Sequence, residues 1–245
     1  MRRICLMVVI AFLASLTARA GAQKIADEPA RREALELFRA GQKLMQAEQF
    51  ARAADAFSTA IAKDGLLSVA HYALGQAYMN LQRFGEAAHA YEGCIEALRA
   101  LHTLQQTSQF EVEKQRDAEI RALRTILNDL RGMREPTRLQ LEQHLHDLEN
   151  QRTSVGGPFR PPAEVLLALG SAHFKDGGRD AAELEWKAAI DVNPRLGEAH
   201  NNLAVVYMQS GRLEAAEQEL KLAEKAGFSV NPQFKEDLKK KKSVR

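Results

Sequence analysis

Small residues recur along this chain at a spacing that leaves few folds open. Gly41 and Gly75 lie 34 positions apart, and so do Gly170 and Ala204. Each is followed by an alanine and then, four positions on, by a large apolar residue: Ala53 and Phe57, Ala87 and Tyr91, Ala182 and Trp186, Ala216 and Leu220. Residues four apart on a helix share a face. The pattern therefore describes two helices per repeat, with the small residue where the first helix comes closest to its partner. A bulky side chain there would push the axes beyond the usual ~8–10 Å. The large residue is placed to fill the space between successive pairs. Asp64-Gly65 and Asn193-Pro194 supply helix stops in the first and third units.

Set out in full, the second unit reads Leu74-Gly75, Tyr78, Ala87, Tyr91, and the third reads Leu169-Gly170, His173, Ala182, Trp186 and Pro194. This resembles the tetratricopeptide repeat, whose signature is Leu-Gly-x-x-Tyr on one helix and Ala-x-x-x-Phe on the next. The resemblance covers residues 34–98 and 163–228. It implies an all-α fold, a helix-turn-helix solenoid in two pairs of repeats. The departures are specific. Gly65 stands where a closing proline is usual, and the second unit has no stop, so its last helix runs on through Arg99. The fourth unit has Ala204 for glycine and Leu220 for the aromatic residue. Leu37, His71, Leu166 and His200 occupy the early position often held by tryptophan, and the two histidines are expected to be packed core imidazoles.

In such a stack the first helices line the concave face. The resemblance places Phe38, Gln42 and Met45 there, then Tyr72, Gln76 and Met79, then Leu167, Ser171 and Phe174, then Asn201, Val205 and Met208. The set is rich in apolar side chains, and methionine recurs at one position in three units. Flexible, polarizable methionines suit varied apolar partners. Only Lys175 and Asn201 resemble residues that would grip a terminal carboxylate, so the expected partner is an apolar or helical segment laid in the groove. A C-terminal helix or the inserted arm covering that groove is the alternative arrangement.

Between Gly75 and Gly170 the frame breaks: they are 95 positions apart, whereas two repeats take 68. Ile120, Leu123, Leu127 and Leu130 form a coiled-coil-like seam. Glu135-Pro136 breaks the helix, and Leu141, Leu145 and Leu148 mark a shorter return stripe. The expectation is an outgoing helix from about Phe84 to Met133, roughly 75 Å long, and a return over Thr137–Arg152. The capping-box pattern Ser108-x-x-Glu111 could restart the helix near Thr107. The predicted organisation is a leader at 1–22, repeats at 23–98, a helical arm at 99–152, a Gly/Pro linker at 153–162, repeats at 163–228, and a C-terminal capping helix with a basic tail at 229–245. Lys239–Lys242 read as a solvated, frayed end. Self-association through residues 99–152 competes with the arm folding onto its neighbours.

Met1-Arg2-Arg3, the apolar run Ile4–Leu16 and the small residues around Ala20-Gly21-Ala22 make a secretory signal pattern. Its apolar run is too short to span ~30 Å of hydrocarbon comfortably. Export is expected, to the periplasm first of all, with secretion or an uncleaved anchor as the other outcomes. Removing the leader takes away Arg2, Arg3 and Arg19 and moves the formal charge from +2 to −1. A near-neutral chain has no global attraction to nucleic acid or anionic membrane. Cys94 alone of the two cysteines lies outside the leader, and it reads as a packed small residue.

No nucleotide loop, nucleophile elbow or Cys-x-x-Cys occurs. His144 and His146 diverge by about 200° on a helix and cannot share a metal. The reading is a non-catalytic protein-protein interaction scaffold of the cell envelope, without cofactor or metal. An oligomeric coiled-coil spacer is the alternative.

Overall fold

Alanine-rich amphipathic segments separated by short turns form helices wherever the repeat frame requires them. A computed structural model describes residues 26–129, positions 142, 145, 146 and 149, and residues 157–243. The leader at 1–22, the break at Glu135-Pro136, most of the return stripe and the start of the linker lie outside those residues. Among the described residues there is no strand. The helices are α1 (Glu28–Gln46), α2 (Phe50–Lys63), α3 (Ser68–Asn80), α4 (Phe84–Asp129), α5 (Ala163–Lys175), α6 (Arg179–Val192), α7 (Gly197–Gln209), α8 (Leu213–Lys225) and α9 (Pro232–Ser243). They pair as α1–α2, α5–α6 and α7–α8, with α9 packed on α8; α3 pairs with α4 where Tyr72 and Gly75 meet Tyr91. Helix α4 runs without interruption through Thr107, so the capping-box pattern at Ser108 does not restart it.

The chain forms two compact units: residues 1–98 with 160–245, and residues Arg99–Phe159. In the first unit the repeats form one body. The turn between first and second helices is the same in every pair. Glu48, Gln82, Gly177 and Gly211 occupy it with φ of 56°, 58°, 92° and 76°. The next amide closes the turn by donating to a carbonyl five residues back: Gln49 to Leu44 at 2.9 Å, Arg83 to Tyr78 at 2.9 Å, Gly178 to His173 at 2.8 Å and Arg212 to Tyr207 at 2.8 Å. Left-handed backbone is free for glycine and costs roughly 1–2 kcal/mol for other residues.

The turn between pairs is equally regular. His71 Nε2 donates to the Gly65 carbonyl at 3.1 Å, and His200 Nε2 to the Pro194 carbonyl at 3.2 Å. Leu66 N–H donates to the Asp64 carboxylate at 3.1 Å, and Arg195 N–H to the Asn193 side-chain oxygen at 3.1 Å. Both histidines thus brace a turn; His200 lies in the core as expected, whereas His71 is only half-buried. His200 is buried and its Nδ1 lies 2.6 Å from Glu219 Oε2. Burial also lowers the pKa of His71.

Packing explains the small residues and corrects one detail. A Cβ added at Gly75 would lie 2.5 Å from the Tyr91 ring, and one at Gly170 2.6 Å from Trp186 Nε1. Gly41 meets Phe57 in the same way. Each ring therefore lies on the glycine of its own pair, rather than only between pairs. In the fourth pair alanine replaces the glycine and Leu220 replaces the ring, and both Ala204 and Leu220 are buried.

The surplus length between the repeats matches a single insertion. Gly75 and Gly170 are 95 positions apart; one repeat step takes 34, and the remaining 61 is the length of Arg99–Phe159. Only one step separates these glycines, not two. Without the insertion the chain would read Leu98-Arg160-Pro161-Pro162-Ala163, which matches Asp64-Gly65-Leu66-Leu67-Ser68 in length and register. The amides of Val165 and Leu166 donate to the Pro162 carbonyl, as those of Ala70 and His71 do to Leu67.

The second unit contains the distal part of α4. Arg124 pairs with Glu149 at 2.8 Å, the Gln106 amide donates to the Gly157 carbonyl at 3.4 Å, and Phe159 stacks 5.7 Å from His102. Glu142, Leu145, His146 and Glu149 are helical. Of the expected seam, Ile120 and Leu127 are half-buried, whereas Leu130 and the Leu123 side chain lie outside the described residues.

The lysine run lies on a helix rather than on a frayed end. α9 continues to Ser243, Leu238 is buried at 3% exposure, Lys242 pairs with Glu217, and Lys235 pairs with Glu224. No helix among the described residues is long and apolar enough to cross a membrane.

Candidate partner-binding groove

The first helices α1, α3, α5 and α7 present the residues expected on the concave face. None of the twelve is buried. Gln42 and Gln76 are exposed, and Phe38, Met45, Tyr72, Met79, Leu167, Ser171, Phe174, Asn201, Val205 and Met208 are half-buried. Aromatic contacts hold three of them in place. Phe38 lies 5.7 Å from Phe57, Tyr72 5.4 Å from Tyr91, and Phe174 5.6 Å from Trp186, centroid to centroid. The glycine clefts position these rings, because each second-helix ring sits against the backbone of the first helix. Phe38 and Met45 also pack on the core of the first two repeats.

Four of the twelve line one open cavity of about 440 Å³: Phe38, Gln42, Tyr72 and Gln76. Its other walls come from residues that repeat matching alone did not mark. Ser68, Val69 and Ala73 belong to α3, Cys94 and Leu98 to the second helix of that pair, and Glu164 and Val165 to α5. The cavity therefore spans the point where the insertion leaves the chain. The signal that could have found Val69 and Glu164 is their shared register, since both occupy the second position of a first helix.

The remaining predicted residues do not line this cavity. Ser171 commits its hydroxyl to the Leu167 carbonyl at 2.8 Å, and Trp186 Nε1 donates to that same carbonyl at 3.2 Å. Asn201, Val205 and Met208 sit on α7, farther along the stack. α9 packs on α8 and contributes nothing to the cavity lining, so the C-terminal helix does not cover it.

The electrostatics are those of an apolar recess. Burial pushes the Tyr72 phenol up, and the nearby Cys94, Glu164 and Glu198 push it further, while the Gln76 side chain bonding it works the other way. Burial raises the Cys94 thiol to about 11, which keeps it protonated and unreactive. Among the described residues Glu164 is the one formally charged side chain lining the cavity. Among the described residues no group of three His, Cys, Asp or Glu is placed to hold a metal ion.

A family model described as tetratricopeptide repeat matches residues 38–100 and 167–229, together just over half of the chain. The two matches start 129 positions apart, 38 to 167, which is two steps of 34 plus the 61 of the insertion. No curated protein matches the sequence. Among solved structures, a thermophilic TPR protein of Thermus thermophilus is 18% identical, covering 85% of this chain and 98% of that one, with a TM-score of 0.35. PilW, described as a widely conserved type IV pilus biogenesis factor, is 16% identical over 85% of this chain and 82% of its own, with a TM-score of 0.39. YrrB, described as a TPR protein with an unusual peptide-binding site, is 19% identical over 84% and 92%, with a TM-score of 0.31.

Proposed function

The chain belongs to the tetratricopeptide repeat family, and on that footing we propose that it is a non-catalytic scaffold that holds an apolar or helical segment of a partner protein against its first helices. The observation that carries this reading is the open cavity formed by Phe38, Gln42, Tyr72 and Gln76 with Val69, Leu98 and Val165. Half-buried rings offer apolar area already held in place by packing. Little ordering entropy is then lost when a partner docks. The exposed amides of Gln42 and Gln76 can satisfy backbone groups of a bound segment. Catalysis has no place in this reading, since the chemistry-bearing side chains are either packed, as Cys94 is, or spread over solvated faces.

The second helix of the second pair carries an additional feature. Leu101, Leu104 and Val112 are 40%, 38% and 55% exposed and fall on one stripe of the inserted unit. This supports self-association through the insertion as a second contact, and a pure coiled-coil spacer if the groove proves empty. Sedimentation separates the two: L104K/V112K is expected to lower the oligomeric state without altering helicity. An unchanged mass would remove the self-association reading. The leader pattern at residues 1–22 supports export, with the periplasm as the compartment. N-terminal sequencing of the chain recovered from envelope fractions tests this.

The direct test of the groove is a photocrosslinking residue placed at Gln42 or Gln76, with the exposed Leu184 as control. The expected result is a discrete partner adduct from both groove positions and none from Leu184. Equal labelling from Leu184, or none from the groove, would count against the proposal.

A further inference from the structure

The groove has a chemical polarity that follows from the repeat register. The register position held by Val69, Glu164 and Glu198, the second residues of α3, α5 and α7, is held in α1 by Leu35, 34 positions before Val69. Leu35 and Val69 are 42% and 49% exposed, and both glutamates are exposed. One edge of the concave face therefore changes from apolar to acidic between the second and third repeats. Val69 and Glu164 line the same cavity, beside Phe38, Tyr72, Leu98 and Val165, and among the described residues no lysine or arginine lines it. Glu164 lines the cavity beside Tyr72, and Glu198 holds the equivalent register position on α7; the charge of both raises the Tyr72 phenol. Neither has an ion-pair partner among the described residues.

The carboxylates sit in the first turns of α5 and α7, where the helix dipole favours negative charge. A partner that covers them with apolar surface strips their water without compensation. One that brings a cation avoids that penalty and gains electrostatic steering as well. We infer that the groove selects an amphipathic protein segment whose apolar side chains seat between Phe38 and Val69 and whose lysine or arginine reaches Glu164 and Glu198. Acidic segments are repelled. This rests on the groove being the partner site and names the chemistry of the partner.

The test uses the full chain and three synthetic peptides with the same apolar residues, carrying lysines, glutamines or glutamates at the flanking positions. Binding is followed by fluorescence anisotropy at low and high salt. The lysine peptide is expected to bind about tenfold more tightly than the glutamine peptide, with the glutamate peptide weakest. In E164Q/E198Q that gap closes, and salt narrows it in the unaltered chain. Both positions are exposed, so circular dichroism of the variant is expected to match. Equal binding of all three peptides, or a lysine preference that survives in E164Q/E198Q, overturns the inference while leaving the groove itself intact. If no peptide binds at all, the groove reading falls with it.

Discussion

A glycine beneath an aromatic ring sets the distance between the helices of a pair. At Gly170 the added Cβ of alanine would lie 2.6 Å from Trp186 Nε1, well inside contact distance. Trp186 cannot retreat easily, because it is fully buried and its indole N–H is held by the Leu167 carbonyl. Gly170→Ala is therefore expected to cost about 1–3 kcal/mol, read as a drop in the urea midpoint. The reverse case is the first-to-second helix turn, where Gln82 is held at φ 58° while its equivalents Gly177 and Gly211 carry no such strain. Gln82→Gly is expected to stabilise the chain by about 1 kcal/mol. A loss of stability would show that the Gln82 side chain has a role that the backbone argument omits. The glycine spacing was legible from the sequence because steric need leaves a residue-level trace. The left-handed Glu48 and Gln82 were not, since neither residue type announces that conformation. Only their register with Gly177 and Gly211 reveals it.

Turn chemistry and cross-pair ion pairs join elements that the glycines only space. Tyr78 and Arg83 recur as Tyr207 and Arg212, with each guanidinium over its ring at 4.6 Å and 4.3 Å. In the first case Arg83 pairs locally with Glu86. In the second, Arg212 reaches back to Glu183 on α6 at 2.5 Å and ties the third pair to the fourth. Hydrogen bonds from Arg212, and then Lys187, hold the Glu183 carboxyl at about 2 rather than its ordinary 4.5. Its folded-state value is depressed. The stability it contributes is therefore full above about pH 4.5 and is lost as pH falls toward 2. E183Q is expected to be less stable near neutrality and to lose less stability over that acid window than the unaltered chain does. Parallel acid curves for the two would contradict this. At α9 the sequence marks the capping helix and its solvated lysines, and Lys239, Lys240 and Lys241 are exposed; what it does not mark is that the helix runs on to Ser243 and that Lys242 finds Glu217 on α8. Such partners lie on another helix and carry no local sequence signal.

At the scale of the whole molecule the repeats are one body into whose second-to-third turn a second unit has been inserted. The sequence carried the repeat and the all-helical class. It placed the start of the arm at residue 99, but the spacing of Gly75 and Gly170 invites comparison with two repeat steps, where setting aside Arg99–Phe159 leaves one. It did not mark Leu98, Glu164 and Val165 as groove walls, which meet only when the second and third repeats stack. Repeat arrays depend on contacts between neighbours, so the continuity of this stack decides whether the groove exists. The direct measurement joins Leu98 to Arg160, removing Arg99–Phe159, and follows urea unfolding by circular dichroism. A continuous stack predicts a helical protein with one cooperative transition that still binds the lysine-flanked peptide. Loss of helicity, or two separated transitions without peptide binding, would show that the repeats do not form a continuous stack by themselves.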